Sequence, residues 1–324
     1  MNSTNFTSIS NSSIINIESW FIPFDILNII CLIIAIILTI MFLIIIIFDK
    51  TCHTVPMMLV ANSCFAILMC ASDILWISIF TLQRDLQLNQ YQDIFCIFRG
   101  YLTYVLCAAL NYSFLLQAFY RYLIVVYPAR LFWQLPRNQF IFIIIKWIYV
   151  FIFPLPFTLT GDIIYNVNNQ ICQIPFRLSF TMIFVAICVY GIPVPLIILI
   201  YLKLIQYVRK MNKRVIPVNI LFRAQRELQM VRRTMILTMI IVILGLPYAS
   251  FIVVSFFTSP PLYHFRIAYI FVTISLVFVM IVLLEFTEPL KASITKKLHR
   301  QSNIIVPNGT QMNRTMNFQL NILY

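Results

Sequence analysis

Charge is what this 324-residue chain has least of: only 10% of its residues are Asp, Glu, Lys or Arg, and just ten are acidic. With 61% of residues hydrophobic, that shortage excludes a water-soluble domain of ordinary kind and makes lipid the solvent. Only five glycines are present, with no detectable repeat, which argues against a transporter built from inverted repeats and Gly-broken midplane helices. The three histidines are scattered and no His/Asp/Glu cluster has metal-ligand spacing, so the chain reads as neither an enzyme nor a cofactor or metal protein. No basic segment followed by a short apolar core and a small-residue cleavage site opens the sequence. The first apolar run is therefore expected to direct insertion.

Apolar runs, by contrast, are abundant. A helix needs about 20 apolar residues, at 1.5 Å each, to cross a hydrocarbon core of about 30 Å. Seven runs qualify: Ile26 to Phe48, Val55 to Leu82, Ile97 to Val126, Phe140 to Leu159, Leu178 to Val208, Val231 to Phe257 and Ile267 to Pro289. The expected fold class is all-α, a seven-transmembrane helix bundle over residues 26–290, preceded by an outer tail (1–25) and followed by a short amphipathic turn and inner tail (291–324).

Basic loops stay on the cytoplasmic side, which sets the orientation. An extracellular amino terminus and cytoplasmic carboxyl terminus place eighteen basic residues inside, among them Lys50, Arg121, Arg130, Arg137, Lys203 and the Arg209–Arg233 linker. Only Arg84, Arg99, Arg177 and Arg266 lie outside, and Lys146 sits within the fourth run. The net charge of +13 is thus a topology signal and a contact for membrane lipids, with no nucleic acid implied. Three glycosylation sequons, at Asn2, Asn5 and Asn11, crowd the outer tail, as a cell-surface glycoprotein of the plasma membrane would have them.

Of eight cysteines, six fall in the runs or the first inner loop, where they read as small apolar fillers. Cys96 and Cys172 alone face the oxidising side and can form a bond tying the second outer loop over the bundle; the alternative is two unpaired thiols.

Six short motifs in register resemble the rhodopsin-like G-protein-coupled receptors over roughly residues 20 to 300. Arg121-Tyr122 follows Cys96 by 25 residues; Pro193 precedes Tyr201 by eight; Trp147 centres the fourth run; Pro247-Tyr248 marks the sixth and Pro289 the seventh. The resemblance implies a receptor for an extracellular ligand, peptide or small molecule, that signals through a heterotrimeric G protein by opening the inner ends of the third and sixth helices. Arg121 is the family's inner arginine, Tyr201 its partner after opening, and Pro193 and Pro247 are helix bends. Tyr120 stands where the family has an acid, so the candidate partner for Arg121 is Glu227, twenty residues before Pro247; a solvated charge in a basic linker is the alternative.

Departures cluster at activation positions: Gly245 for a tryptophan, Ala292 for the tyrosine after Pro289, Glu288 for the asparagine before it, Ile67 for an aspartate and Thr39 for an asparagine. Glu285 and Glu288 lie one turn apart and are candidates for a cation or proton site, unless Glu288 reaches the inner interface to pair with Lys291. Ligand-pocket candidates are Asp73, Trp76, Thr103, Tyr104, Tyr248 and Phe251, with Asp73 taken as the only acid in the outer half of any span. It either meets a cationic ligand group or is a capped carboxylate. Thr103 occupies the position of the amine-receptor aspartate and Val282 stands near that of the retinal lysine of opsins, so neither ligand class is implied. A seven-span chemosensory receptor or channel subunit that does not use G proteins, and a transporter, are the readings from other classes.

Overall fold

The computed structural model describes residues 21–49, 53–87, 92–128, 131–177, 179–212, 245–258 and 263–286, with single residues or pairs at 232, 235–236, 239–240, 242–243 and 261. In chain order the elements are α1 (Phe21–Phe48), α2 (Val55–Gln87), α3 (Cys96–Val126), α4 (Pro136–Ile152), α5 (Leu155–Leu159), β1 (Ile164–Asn166), β2 (Ile171–Gln173), α6 (Phe180–Ala186), α7 (Pro193–Asn212), α8 (Gly245–Val254) and α9 (His264–Phe286). Among the described residues, six stretches are long and apolar enough to span a bilayer, with α4–α5 and α6–α7 each making one; α8 is a shorter apolar helix in the sixth run.

The helices are inside-out relative to a soluble protein. On α1 the buried positions Asp25, Asn28, Leu32, Ala35, Thr39, Phe42 and Ile46 recur every three or four residues, while Leu27, Ile30, Ile34 and Ile37 are left exposed. In lipid the exposed apolar face costs nothing, and the polar groups are the ones that need protein partners. Asn28 accordingly donates to Ser78 Oγ of α2 at 3.1 Å, and Thr39 donates to its own Ala35 carbonyl at 2.6 Å. The central helix is α3, which packs on α2, α4 and α7. Leu106, Leu110 and Phe114 join Leu32, Ile67, Ile74, Ile197, Leu276 and Met280 in one of two large apolar clusters.

Two spans are interrupted where proline demands it. The fourth breaks at Phe153 and Pro154 between α4 and α5. In the fifth, Ile187–Gly191 widens into a π turn just before Pro193, where the Ile192 N–H reaches back to the Ile187 carbonyl at 2.9 Å. Pro193 has no N–H to offer the carbonyl four residues back, that of Val189. Asn111 of α3 supplies the missing donor, Nδ2 to Val189 O at 2.9 Å, so the break is closed by a neighbouring helix.

Helix ends differ from the sequence expectation in a way that matters. α1 starts at Phe21 and α2 continues to Gln87, so Asp25 and Asp85 lie on membrane helices and Asp73 is not the only acid in their outer halves. Hydropathy ended both runs at the first charges; the helices continue because those charges find buried partners. Arg266 grips Asp85 with two N–H groups, at 2.6 and 2.9 Å, and lies 3.8 Å from Asp25. Gln170 of the second outer loop also donates to Asp85, at 2.8 Å, and Arg84 donates to the Gln170 carbonyl. A second knot has Arg84 and Arg99 both on Asp93 Oδ1, at 2.8 and 2.6 Å. Partial burial pushes the Asp93 carboxyl up, but the Arg99 and Arg84 guanidiniums outweigh it and hold it below the usual carboxylate range.

This ionic layer seats a lid. β1 and β2 pair antiparallel, Tyr165 opposite Cys172, and the Cys96–Cys172 disulfide fastens β2 to the start of α3. Asn169, in the hairpin loop, accepts from the Phe265 and Arg266 amides, capping the first turn of α9 from outside its own chain segment. Gly100 of α3 lies directly under the strand: a Cβ there would overlap the Cys172 carbonyl oxygen and press on Ile163. Gly100→Ala should therefore lift the hairpin off the bundle, and it is expected to lower surface expression and thermal stability by about as much as an overpacked core, 1–3 kcal/mol. A thermal-shift measurement on the purified variant checks this, and an unchanged midpoint would refute the close seating.

Candidate functional site

Beneath the lid is a small cavity of about 50 Å³, lined by Ile74, Thr103, Tyr104, Cys107, Met182, Val185, Ala186, Val189, Tyr190, Tyr248, Ile252, Tyr269 and Val272. It gathers α2, α3, α6 and the π turn of the fifth span, α8 and α9. Three of the ligand candidates line it, Thr103, Tyr104 and Tyr248. Asp73 stands behind Thr103, whose hydroxyl donates to Asp73 Oδ2 at 2.9 Å. The other carboxylate oxygen, Oδ1, is buried with no hydrogen-bond partner among the described residues. Trp76 and Phe251 are elsewhere. Trp76 lies under the Arg99 guanidinium, 5.1 Å from ring centre to Cζ, and Phe251 sides with His264.

The lid reaches into the cavity walls. Tyr104 OH accepts from the Ile174 amide at 3.1 Å, and Gln173 Nε2 donates to Tyr269 OH at 2.6 Å. Phe176 wedges between Tyr248 and Phe265, with ring centres 5.1 and 4.5 Å apart. A ligand entering from outside must displace or lift these contacts.

Toward the inner end of α3, Arg121 is half-buried. Tyr122 and Tyr201 come together in a small cluster around Val125, Leu204 and Val208, joining α3 to α7. Tyr120, at the family's acidic position, is buried among Leu59, Ile124 and Ile143, so packing against α2 and α4 replaces a charge there. Pro247 lies in α8, and among the described residues a Cβ at Gly245 would meet nothing within 4 Å, so no described side chain fills the place of the absent tryptophan. Ile67 is fully buried in the apolar core where the family has an aspartate. Glu227, Glu288, Pro289, Asn2, Asn5 and Asn11 lie outside the described residues, as does the side chain of Glu285.

Sequence reasoning gave no role to Lys146. It is buried at mid-span, its Nζ donating to Asn62 Oδ1 and Ser113 Oγ, both at 3.1 Å. Trp147 Nε1 donates to the same Asn62 oxygen at 3.1 Å, and the ammonium lies 3.8 Å from the centre of the Trp147 ring. An isolated lysine in an apolar run was the available signal.

The fold agrees with the crystal structure of squid rhodopsin, TM-score 0.73 at 14% identity, over 90% of this chain and 89% of that one. No curated protein sequence matches. The family described as 7 transmembrane receptor (rhodopsin family) matches residues 27–285, most of the chain, from within α1 to within α9. This chain is a multi-pass membrane protein of a receptor class rather than an enzyme, and it belongs to the rhodopsin family of seven-transmembrane receptors.

Proposed function

We propose that this receptor acts at the plasma membrane, binds an extracellular ligand in the lidded cavity, and signals to a heterotrimeric G protein by opening the inner ends of the third and sixth spans. The observation that carries this reading is that one helix joins both ends of the path. Thr103, on the cavity wall, and Arg121, at the inner face, are eighteen residues apart on α3, about 27 Å. The cavity chemistry suits a ligand with a compact polar or cationic group. Tyr104, Tyr190, Tyr248 and Tyr269 ring it, and the unpartnered Asp73 oxygen lies just behind Thr103. The second inner loop, with Trp133 and Arg137, and the basic linker that includes Glu227 form the docking side.

The test is ligand-independent nucleotide exchange on a panel of G proteins, with wild type, Arg121→Ala and Glu227→Ala at matched surface expression. Glu227→Ala is expected to raise basal exchange several-fold, since loss of an inner pairing of even about 1 kcal/mol shifts a closed-to-open ratio about fivefold. Arg121→Ala should stay at or below wild type. No exchange by any of the three proteins would count against G-protein coupling, and an equal rise in both variants against the pairing.

A further inference from the structure

A second cavity is far larger than the lidded one. About 760 Å³ lies between α3, α4 and α7, on the bundle's outer flank, with walls of Tyr112, Leu116, Phe119, Ile145, Tyr149 and Leu199 among others. Ile145 and Leu199 are more than half exposed, so the cavity opens sideways to lipid and not to water. Two charged side chains line it, Lys146 and Lys203, and no acid does.

Lys146 is the anomaly. It stands ten residues into the fourth span, Pro136–Leu159, about 15 Å from that end of the helix, beyond easy reach of either interface. An ammonium has three donors; the neutral oxygens of Asn62 and Ser113 take two, the Trp147 ring faces the charge at 3.8 Å, and none of these partners carries a negative charge. A buried cation without a counter-ion is costly in lipid, and the fixed neutral oxygens beside it offset only part of that. The cavity wall is where a counter-ion can arrive. Its volume falls within the roughly 300–1,000 Å³ of small-molecule sites, and its lining is almost wholly apolar.

We propose that this lateral cavity binds a single-chain amphiphile with an anionic head, a long-chain carboxylic acid, from the bilayer, with the carboxylate on Lys146 and the hydrocarbon chain along α3, α4 and α7. Charge complementarity selects the anionic head. Depth selects the single chain, because a phosphodiester head with two acyl chains is held at the interface, where Lys203 could meet it but Lys146 could not. Occupancy would bridge α3 and α7, the helices whose inner ends hold Tyr122 and Tyr201, so the site is placed to bias the inner-face arrangement.

The experiment uses full-length receptor in nanodiscs of neutral phospholipid, with a photoreactive diazirine palmitic acid and its matching alcohol as probes. The acid is expected to label peptides from α3, α4 and α7, about tenfold more than the alcohol, an advantage set by one buried charge pair. Lys146→Met should bring the acid down to the level of the alcohol, and Lys146→Arg should retain the preference. Asn62→Asp, which gives Lys146 an internal carboxylate, should also erase it. Leu199→Trp fills the cavity from a lipid-exposed position and should block labelling with the fold intact; it decides the matter alone if Lys146→Met does not fold. Equal labelling by acid and alcohol, competition by phosphatidylserine but not by unlabelled palmitate, or labelling undiminished in Leu199→Trp would each overturn the proposal.

Discussion

Asp85→Ala should be among the most damaging single substitutions in the outer half of the receptor, with a loss of about 3–5 kcal/mol. The reason is the company Asp85 keeps. It accepts both N–H groups of Arg266 and the amide of Gln170, and both charged side chains are more than nine-tenths buried. Remove the carboxylate and Arg266 is left with Asp25 Oδ2 at 3.8 Å, too long for a hydrogen bond, inside a layer that water barely reaches. The lid loosens as well, because Gln170 is its anchor and Arg84 holds the Gln170 carbonyl. Asp85→Asn keeps one acceptor and should lose less. The double variant Asp85→Leu with Arg266→Met removes both charges together and should recover much of the deficit, since an apolar pair of similar volume avoids the unpaired cation. Heat-induced aggregation midpoints of the four proteins in detergent measure the cycle. If Asp85→Ala cost no more than an exposed ion pair, under about 1 kcal/mol, the buried cap described here would not exist in the membrane-bound protein.

That cap also marks where sequence legibility ends. The bundle could be read from seven apolar runs, and the family from the spacing of Cys96, Arg121, Trp147, Pro193, Pro247 and Pro289, because a span must be apolar and a motif is local. Thr103, Tyr104 and Tyr248 could be placed near a pocket by the same alignment. Partnerships are another matter. Asp85 and Arg266 are 181 residues apart, and Lys146 and Asn62 are 84 apart. Nothing in helical periodicity says which polar residue of one helix faces which of another. A hydropathy window reads the charges of Asp25 and Asp85 as helix ends, whereas in the folded protein they are what lets the helices continue. Pro193 announced an irregular fifth span, but the π turn and its repair by Asn111 depend on the register between α3 and the fifth span. Tyr120 and Gly245 were visible as departures; that one is packed, and that the other meets no described neighbour, follows only from what surrounds each in the fold.

Asn62→Leu should be the second severe lesion, and its variants separate geometry from charge. One oxygen, Asn62 Oδ1, accepts from both Lys146 Nζ and Trp147 Nε1, while Asn62 Nδ2 donates to Ser113 Oγ. Leucine keeps the volume and removes every one of these bonds, leaving a part-buried indole N–H and a buried ammonium short of an acceptor. About 1–3 kcal/mol is expected for the neutral donor and more for the charged one. Adding Lys146→Met to Asn62→Leu removes the charged orphan, so the double variant should be more stable than Asn62→Leu alone, the reverse of two independent losses. Asn62→Asp predicts the opposite sign from Asn62→Leu: it loses the Ser113 bond but places a carboxylate about 3 Å from the ammonium, and its melting temperature should equal or exceed that of wild type at neutral pH. If Asn62→Asp and Asn62→Leu fell equally, the site would be reporting shape, and Lys146 would not be carrying charge at the centre of the fourth span. If only Asn62→Leu fell, the charge is real, and the wild-type receptor, with neutral oxygens and the Trp147 ring as its partners among the described residues, has a standing need for an anion at this depth.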